Sequence, residues 1–357
     1  MAQMVMSIAS AGNFKRAFEY NVGQIGKINT NQDTLSFVDF KVAAEKAKDR
    51  IISMVNADVD KFFLPSGYKE FDRLYMGLPV GLITIAADSG EGKSTVVLPT
   101  ILANQDKDIF VASTEVSPEG ISANISAIQA NIFRSDIHRG KLQQEELNQY
   151  IKTLDNCIAK LKGGVTMQRK LSRIIAEMKL WRAKTDKSKI GIVVIDFLND
   201  IFDDYGNTYA DDKLIRNAVS IIKGLSKELN VCMIMLSQFN QLRKSRKDKE
   251  PCRDFIYGSA SVYQSSDVVI YPYRPVMWMP NVEKVFYEGK RYEDAYLVVD
   301  KFKENGLRKI PMIFDAFITQ FMDIPKRPTQ TLRGMELLPF TASKLNDEFE
   351  LKIKWKK

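Results

Sequence analysis

The feature that most constrains the fold is a glycine-containing segment between an apolar run and the start of a helical pattern. Residues 87–95 read Ala-Asp-Ser-Gly-Glu-Gly-Lys-Ser-Thr, after the apolar run 82–86 and before the apolar residues 96–98. This order predicts a buried strand, a loop and a helix. Gly90 and Gly92 let backbone N–H groups close around phosphate oxygens, and the helix start adds partial positive charge. The segment is therefore a predicted phosphate-binding loop.

Within this loop, Lys93 is expected to reach the β and γ phosphates of a nucleotide, and Ser94 to place its hydroxyl on Mg²⁺. The usual pattern begins with glycine where this chain has Ala87. An ordinary glycine turn is the alternative, but Gly-Lys-Ser directly after a buried strand is specific for phosphate loops. The predicted nucleotide-contacting residues are Ala87, Asp88, Ser89, Gly90, Glu91, Gly92, Lys93, Ser94 and Thr95.

Composition narrows the class of protein. A chain of 357 residues with 45% hydrophobic content can form one large domain with an appended arm. Its net charge of +8 favours a polyanionic partner, although a basic, soluble surface explains the charge equally well. The cysteines, at positions 157, 232 and 252, have no metal-ligand spacing, and His138 stands alone, which argues against a histidine triad. With no membrane-length apolar stretch and no secretory pattern, we expect a soluble, cytoplasmic protein.

The chain divides into three predicted parts: an arm with one amphipathic helix (1–61), a main domain (62–324) and a basic tail (325–357). The arm's helix is predicted over 37–55, with Ser36 and Asp39 as a capping box, and it could pack on its own domain or on a neighbouring subunit. In the main domain, strands alternate with helices, which predicts a mainly parallel sheet flanked by helices. Predicted strands are 82–86, 108–114, 190–196, 231–237, 268–271, 295–301, 310–314 and 319–321; predicted helices are 94–104, 118–133, 143–162, 168–185 and 212–229.

Three predicted strands end in polar residues that suit nucleotide chemistry. Asp196 follows an apolar run and is expected to bind Mg²⁺ opposite the loop. Glu115 is placed to orient and deprotonate a water molecule, and Gln238 to hydrogen-bond the γ-phosphate or its water. For Asp196 and Gln238 the alternative is a polar residue that merely ends a strand, and for Glu115 it is a solvated loop glutamate.

A basic segment, residues 243–249, follows Gln238 and carries five basic residues in seven positions. Such a run is often a solvated face. Directly after a γ-phosphate sensor, it also suits a contact with a nucleic-acid backbone that follows the nucleotide state. The predicted DNA-binding residues are Arg243, Lys244, Arg246, Lys247 and Lys249.

Together, these segments resemble the C-terminal RecA-like ATPase domain of the DnaB-type replicative helicases. The resemblance covers roughly residues 62–324. It includes the phosphate loop and the strand ends, and it extends to Asp254-Phe255-Ile256-Tyr257-Gly258-Ser259 with Gln264, Asp267 and Arg274 downstream. The fold it implies is a RecA-like P-loop NTPase core, α/β in class, with a short N-terminal helical arm.

The resemblance also implies roles. Glu115 becomes the catalytic base, Asp196 the Walker B carboxylate and Gln238 the γ-phosphate sensor, while Arg274 joins the nucleotide site. The family supplies a Lys-x-Arg pair from the adjacent subunit, and here Lys301-Phe302-Lys303 stands at that position. Lysine cannot fork onto two oxygens as arginine does, so Lys303 and nearby Arg308 are both candidates for the trans-acting finger.

The function implied is an ATP- and Mg²⁺-dependent ring-forming motor, expected to be a hexamer, that moves along single-stranded DNA. A primase or a loader is an expected partner, and the expected location is the cytoplasm of a bacterium or a phage-infected host. The family usually carries a folded helical N-terminal domain, so a minimal, phage-encoded member is expected here. Alternative functions are a strand-exchange ATPase of the RecA type and a RecA-like ATPase that loads or regulates helicases.

Overall fold

The computed structural model of the chain describes residues 39–55, 62–196, 201, 212–246, 249–279, 285–287, 290–303 and 306–325. These residues fall into two units, one ending at Val59 and the other beginning at Asp60. The predicted arm before residue 39 and the predicted tail from residue 326 lie outside the described residues. The predicted domain boundaries therefore stay predictions.

The first unit contains helix α1 (Phe40–Val55). The predicted capping box pairs Ser36 with Asp39, and Ser36 lies outside the described residues. Asp39 caps the helix itself, since its carboxylate accepts the backbone N–H of Lys41 at 2.8 Å. Phe40 and Ile51 are exposed along α1, at 92% and 62% of their surface.

The second unit is built around one sheet. The described strands are β1 (Phe63–Leu64), β2 (Leu78–Pro79), β3 (Gly81–Ala87), β4 (Asp108–Ser113), β5 (Lys162–Thr166), β6 (Gly191–Asp196), β7 (Val231–Gln238), β8 (Val268–Tyr273), β9 (Val285–Tyr287), β10 (Lys290–Phe302), β11 (Arg308–Asp315) and β12 (Gln320–Asp323). Strands β1 and β2 form an antiparallel pair apart from the main sheet. The order in the sheet is β12-β11-β10-β8-β3-β7-β6-β4-β5, with β9 paired to β10. Strands β5, β4, β6, β7, β3 and β8 run parallel, while β10, β11 and β12 join antiparallel.

Helices connect the parallel strands, as βαβ units require. The described helices of the second unit are α2 (Lys69–Tyr75), α3 (Lys93–Ala103), α4 (Pro118–Ala130), α5 (Arg134–His138), α6 (Gln144–Lys160), α7 (Leu171–Ala183), α8 (Asp212–Glu228), α9 (Leu242–Ser245) and α10 (Ser259–Ser265), with 3₁₀ turns at Arg253–Phe255 and Pro275–Met277. The predicted fold class, a mainly parallel sheet flanked by helices, is confirmed.

The middle of the sheet is its most buried part. Every residue of β3 and β6 is buried, and so is every residue of β7 before Gln238. Val219 and Ile222 of α8 join Val193 and Met233 of the neighbouring strands in one apolar core. Strands buried on both faces need uninterrupted apolar runs, which is why the sequence predicted these strands well.

Strand β5 was not predicted. It begins Lys-Gly-Gly, a composition typical of a turn, yet it pairs in register with β4 from Asp108 to Ala112. The short helices α2 and α5 were also missed. Elements of this length carry too little periodicity to be recognised in a sequence.

Arg182, near the end of α7, is fully buried and lies at the amino ends of β6 and β7. Its guanidinium donates to the carbonyls of Lys189, Leu229 and Asn230 at 2.5, 2.7 and 3.2 Å. These carbonyls precede β6 and β7, so one side chain satisfies the backbone at the start of both strands. In the parts of the chain that the structure describes, no helix has the length and apolar character needed to cross a bilayer.

Two adjacent glycines of β5 test the register in which β5 pairs with β4. A Cβ at Gly163, where φ is +136°, would lie 1.7 Å from the carbonyl oxygen of Ile109, whereas a Cβ at Gly164 meets nothing within 4 Å. We expect Gly163→Ala to lower the free energy of unfolding by about 2–3 kcal/mol and to unprotect the amides of β5. Gly164→Ala is the matched control and should be neutral. Urea unfolding and amide hydrogen exchange measure both effects; equal stabilities for the two variants would contradict the register.

Candidate functional site

The predicted phosphate loop joins β3 to α3, as expected. Gly90 and Gly92 have φ values of +82° and +100°, in the left-handed region that favours glycine. A Cβ at Gly92 would lie 2.7 Å from Thr95 Oγ1 and 2.9 Å from the ring of Phe321. The loop backbone therefore requires glycine at position 92, directly before the N-terminus of α3.

Ser94 and Asp196 meet beside this loop. The Ser94 hydroxyl donates to Asp196 Oδ2 at 2.9 Å, and Asp196 is buried at the end of β6. A hydroxyl and a carboxylate are oxygen ligands of the kind that Mg²⁺ prefers, and the ion usually completes its shell with phosphate and water oxygens. In the described part of the chain, no group of three or more His, Cys, Asp or Glu side chains could hold a metal by itself. These two residues fit a Mg²⁺ that arrives with phosphate.

Lys93, the first residue of α3, lies among carboxylates. Burial lowers the pKa of Lys93, and the negative charges of Glu115, Asp196 and Asp88 oppose that shift. Glu115 exerts the largest of these attractions, although its own side chain is exposed. The predicted phosphate lysine and the predicted base thus share one region of the molecule.

The strand ends that carry the predicted residues are joined by backbone contacts. Thr114, beside Glu115, donates its N–H to the carbonyl of Asp196 at 2.8 Å. Gln238 lies opposite Ala87 in the β3–β7 register, and the N–H of Phe239 donates to the Ala87 carbonyl at 3.2 Å. The predicted nucleotide site is therefore assembled at the carboxyl edge of β3, β4, β6 and β7.

Arg274, which follows β8, contacts the backbone of the phosphate loop. Its Nη1 donates to the carbonyl of Gly90 at 3.0 Å, while Nε and Nη2 donate to the Glu293 carboxylate at 3.0 and 2.6 Å. The guanidinium carbon lies 3.7 Å from the ring centroid of Phe314. Arg274 thus contacts the loop backbone, and its predicted contact with nucleotide stays a prediction.

The residues of the basic segment differ in exposure and in their contacts. Arg243 is fully buried, and its Nη1 donates to Asp88 Oδ2 at 3.0 Å and to Glu91 Oε2 at 2.5 Å. The prediction that Arg243 binds DNA is corrected by this placement, because a buried guanidinium paired with two carboxylates cannot reach a DNA backbone. Sequence reasoning missed this role because the partners are 155 and 152 residues away along the chain.

The other predicted DNA-binding residues differ in exposure. Lys244 and Arg246 are exposed, and Arg246 lies 3.6 Å from the Asp254 carboxylate. The side chain of Lys249 is directed at its own segment, where Nζ donates to the carbonyls of Arg243 and Lys244 at 3.0 and 2.6 Å. Lys247 lies outside the described residues.

Two residues of this site were not predicted. Trp278 donates its Nε1–H to Glu91 Oε1 at 2.6 Å, and Glu293 holds Arg274. Glu91 is fully buried although it lies in an anion-binding loop. The two acidic residues of the loop, Asp88 and Glu91, were the sequence signal that could have pointed to hydrogen-bond donors nearby.

Lys303 lies at the opposite end of the parallel strands, where its N–H donates to the carbonyl of Asp267 beside the start of β3. Lys301 lies further into the sheet, opposite Val269 of β8. Lys301 Nζ donates to the carbonyls of Tyr263 and Gln264 at 2.6 and 3.0 Å, and burial lowers its pKa. Lys303 is half exposed and pairs with Asp267 Oδ1 at 2.6 Å, while Arg308 is exposed. Because β3 spans roughly 20 Å between its two ends, Lys303 lies well away from the phosphate loop of its own chain.

Fold and site together define a RecA-like nucleotide-binding domain. The family model described as DnaB-like helicase C terminal domain matches residues 64–323, and the chain belongs to that family.

Curated relatives include replicative DNA helicases DnaB of Helicobacter pylori, 25% identical over 76% of this chain, and of Geobacillus stearothermophilus, 26% identical over 70%. The chain spans 58% and 56% of their lengths. Among solved structures, one that consists of an ATPase domain has a TM-score of 0.70 at 19% identity, with 81% of this chain and 100% of that one covered. A DnaB-like replicative helicase, studied with its interactions with primase, has a TM-score of 0.67 at 18% identity, covering 90% and 75%.

Asp267 gives a pH-dependent test of the edge that holds Lys303. Burial alone would raise the pKa of Asp267, but hydrogen bonds from Lys303 and the Leu82 N–H, and the charge of Lys223, outweigh it and lower the pKa. A carboxyl with a lowered pKa stabilises the fold above its unfolded pKa, and this stabilisation is lost as pH falls through the folded pKa.

We therefore expect Asp267→Asn to lower the free energy of unfolding by about 1–3 kcal/mol at pH 7. The difference from the wild type should persist at pH 5 and shrink below about pH 4. Urea titrations at these pH values measure it. A difference that is the same at every pH would contradict the ion-pair assignment.

Proposed function

We propose that this chain is the ATP-hydrolysing motor of a replicative DNA helicase that moves along single-stranded DNA. The observation that carries this proposal is the meeting of the phosphate loop with Glu115, Asp196 and Gln238 at one sheet edge. Membership of the DnaB-like helicase family supports this function over strand exchange and over a regulatory or loading ATPase.

In this proposal the loop and α3 hold the nucleotide. The N-terminus of α3 and the Lys93 ammonium attract the phosphates, and Ser94 and Asp196 hold Mg²⁺. Bound Mg²⁺ neutralises charge that develops on the phosphate oxygens. Glu115 accepts a proton from the attacking water, and Gln238 hydrogen-bonds the γ-phosphate or that water.

The proposed assembly is a hexameric ring. Lys303 and the phosphate loop lie at opposite ends of the parallel strands, so Lys303 or Arg308 would complete the site of a neighbouring subunit. The exposed apolar residues of α1 would dock on that neighbour. Lys244 and Arg246 would contact the DNA backbone.

A primase or a loader is the proposed protein partner, since a structural neighbour is a DnaB-like helicase that interacts with primase. The proposed location is the cytoplasm of a bacterium or a phage-infected host.

The nucleotide site is tested by two variants with separate effects. Lys93→Ala removes the phosphate-binding ammonium and should raise the nucleotide Kd at least about tenfold. Glu115→Gln keeps the shape of the base and should lower kcat by roughly 10²–10⁴ while the Kd changes by less than about threefold. Glu119→Gln, an exposed glutamate four residues further along, is the matched control. Wild-type hydrolysis by Glu115→Gln would reject Glu115 as the base.

The basic segment is tested by the salt dependence of DNA binding. Replacing Lys244 and Arg246 with alanine should lower the slope of log K against log salt for single-stranded DNA by about 1.4, because two phosphate contacts are lost. A control with the same charge change is Lys152→Ala with Lys160→Ala, two exposed positions on α6. If both pairs alter the slope equally, the basic segment is only a solvated face.

The finger is tested by mixing subunits. Lys303→Ala should lower DNA-stimulated hydrolysis by about 10³ and leave nucleotide affinity little changed, because a positive charge supplied in trans stabilises the transferring phosphoryl group. Mixing it with Glu115→Gln subunits should recover activity, since some interfaces then pair an intact Lys303 with an intact Glu115.

Lys223→Ala is the control for a purely structural loss, because Lys223 also pairs with Asp267, at 3.2 Å. It should leave DNA-stimulated hydrolysis intact. If co-assembled mixtures recover nothing and Arg308→Ala is the more damaging change, the finger is Arg308.

A further inference from the structure

Arg243 is the one residue of the basic segment whose described side chain enters the phosphate loop. It is fully buried, and one nitrogen, Nη1, serves the carboxylates of both Asp88 and Glu91. An arginine enclosed in this way must keep its charge paired, because an unpaired buried charge is strongly unfavourable. The position of Arg243 is therefore tied to the position of the loop carboxylates.

The loop depends on this arginine in return. Asp88 and Glu91 place two negative charges in a segment that attracts phosphate, which is unfavourable unless they are neutralised or turned away. Glu91 is turned inward and accepts hydrogen bonds from the Asp88 N–H at 3.1 Å, from Arg243, and from Trp278 at 2.6 Å. Arg243 supplies the only formal positive charge among these three donors.

Three aromatic rings lie around the guanidinium. Its central carbon lies 4.7, 5.1 and 5.7 Å from the ring centroids of Trp278, Phe239 and Tyr273. Cation–π contacts favour a charged guanidinium at this position. Nη2 has no hydrogen-bond partner in the described part of the chain, so the guanidinium can take a new acceptor without first losing one on that nitrogen.

Arg243 is also hydrogen-bonded to another residue of the basic segment. Its Nε donates to the Lys249 carbonyl at 2.8 Å, and Lys249 Nζ returns to the carbonyls of Arg243 and Lys244. These hydrogen bonds hold the backbone next to the exposed side chains of Lys244 and Arg246. The guanidinium is therefore hydrogen-bonded to the backbone of Lys249, and Lys249 to the backbone of Arg243 and Lys244.

We infer that Arg243 is a positioning residue that couples the geometry of the phosphate loop to the basic segment. Occupancy of the loop changes the positions of Asp88 and Glu91, Arg243 follows its carboxylate partners, and the exposed basic residues are re-aimed. The inference rests on the proposed function, since it assumes that the loop binds nucleotide and that the segment binds DNA. It assigns the link to a side-chain contact, distinct from the strand end at Gln238.

The experiment measures the affinity of the full chain for single-stranded DNA with and without a saturating non-hydrolysable ATP analogue. The ratio of the two affinities is the coupling factor, and we expect it to be about tenfold or more in the wild type. Arg243→Met should bring the factor to within about twofold of unity, while the affinity for DNA without nucleotide is retained. Saturation by the analogue is checked in each variant by direct titration.

Lys152→Met, which removes one exposed positive charge on α6 outside the basic segment, is the matched control. It should leave the coupling factor unchanged. Arg243→Lys keeps the charge without the planar fork and should give an intermediate factor. Glu91→Gln tests the same contact from the loop and should also lower the factor, which keeps the inference testable if Arg243→Met does not fold.

The outcomes separate the two proposals. A wild type that binds neither the analogue nor DNA rejects the proposed function. A wild type with normal coupling whose factor is unchanged in Arg243→Met rejects the role of Arg243 and leaves the function standing. A merely structural role predicts that Arg243→Met weakens DNA binding in both states by the same factor, and that result would also overturn the inference.

Discussion

The constraint on which the structure depends is the register of β3 between two parallel neighbours. Strand β3 pairs with β7 from Gly81 to Ala87 and with β8 from Ile83 to Ile85. Because the strand is buried along its whole length, a slip of one residue would turn its side chains to the wrong face and leave buried backbone groups unpaired. The same register that satisfies the backbone brings Ala87 level with Gln238. The position of the phosphate loop relative to the proposed γ-phosphate sensor is thus a consequence of strand pairing.

Charge imposes the second constraint, on the loop itself. An anion-binding loop that contains Asp88 and Glu91 would oppose its own ligand unless those carboxylates were occupied from inside the protein. Burial raises the pKa of Asp88, and the charge of Glu91 adds to that effect, while Arg243 opposes both. The arginine therefore pairs with both acids and directs them away from the phosphate-binding face. Arg274 complements it by holding the carbonyl of Gly90.

The sequence was informative wherever a local pattern determines the structure. Continuous apolar runs identified β3, β6 and β7, and the Gly-Lys-Ser segment identified the loop, because both depend on neighbouring residues alone. The structure brings the predicted Ser94 and Asp196 into contact at 2.9 Å. Arg243 could not be placed in this way. A basic run does not reveal which side chain turns inward, since that depends on a carboxylate 152 residues away.

The two ends of β3 bear on the proposal that a neighbouring subunit completes the site. At the carboxyl end lies the phosphate loop, and at the amino end the Leu82 N–H donates to Asp267 at 2.9 Å, beside Lys303. A rigid strand keeps these ends roughly 20 Å apart, so Lys303 cannot approach the loop by a side-chain movement. If a positive charge from this edge acts on a phosphoryl group, that group must be bound by another copy of the chain.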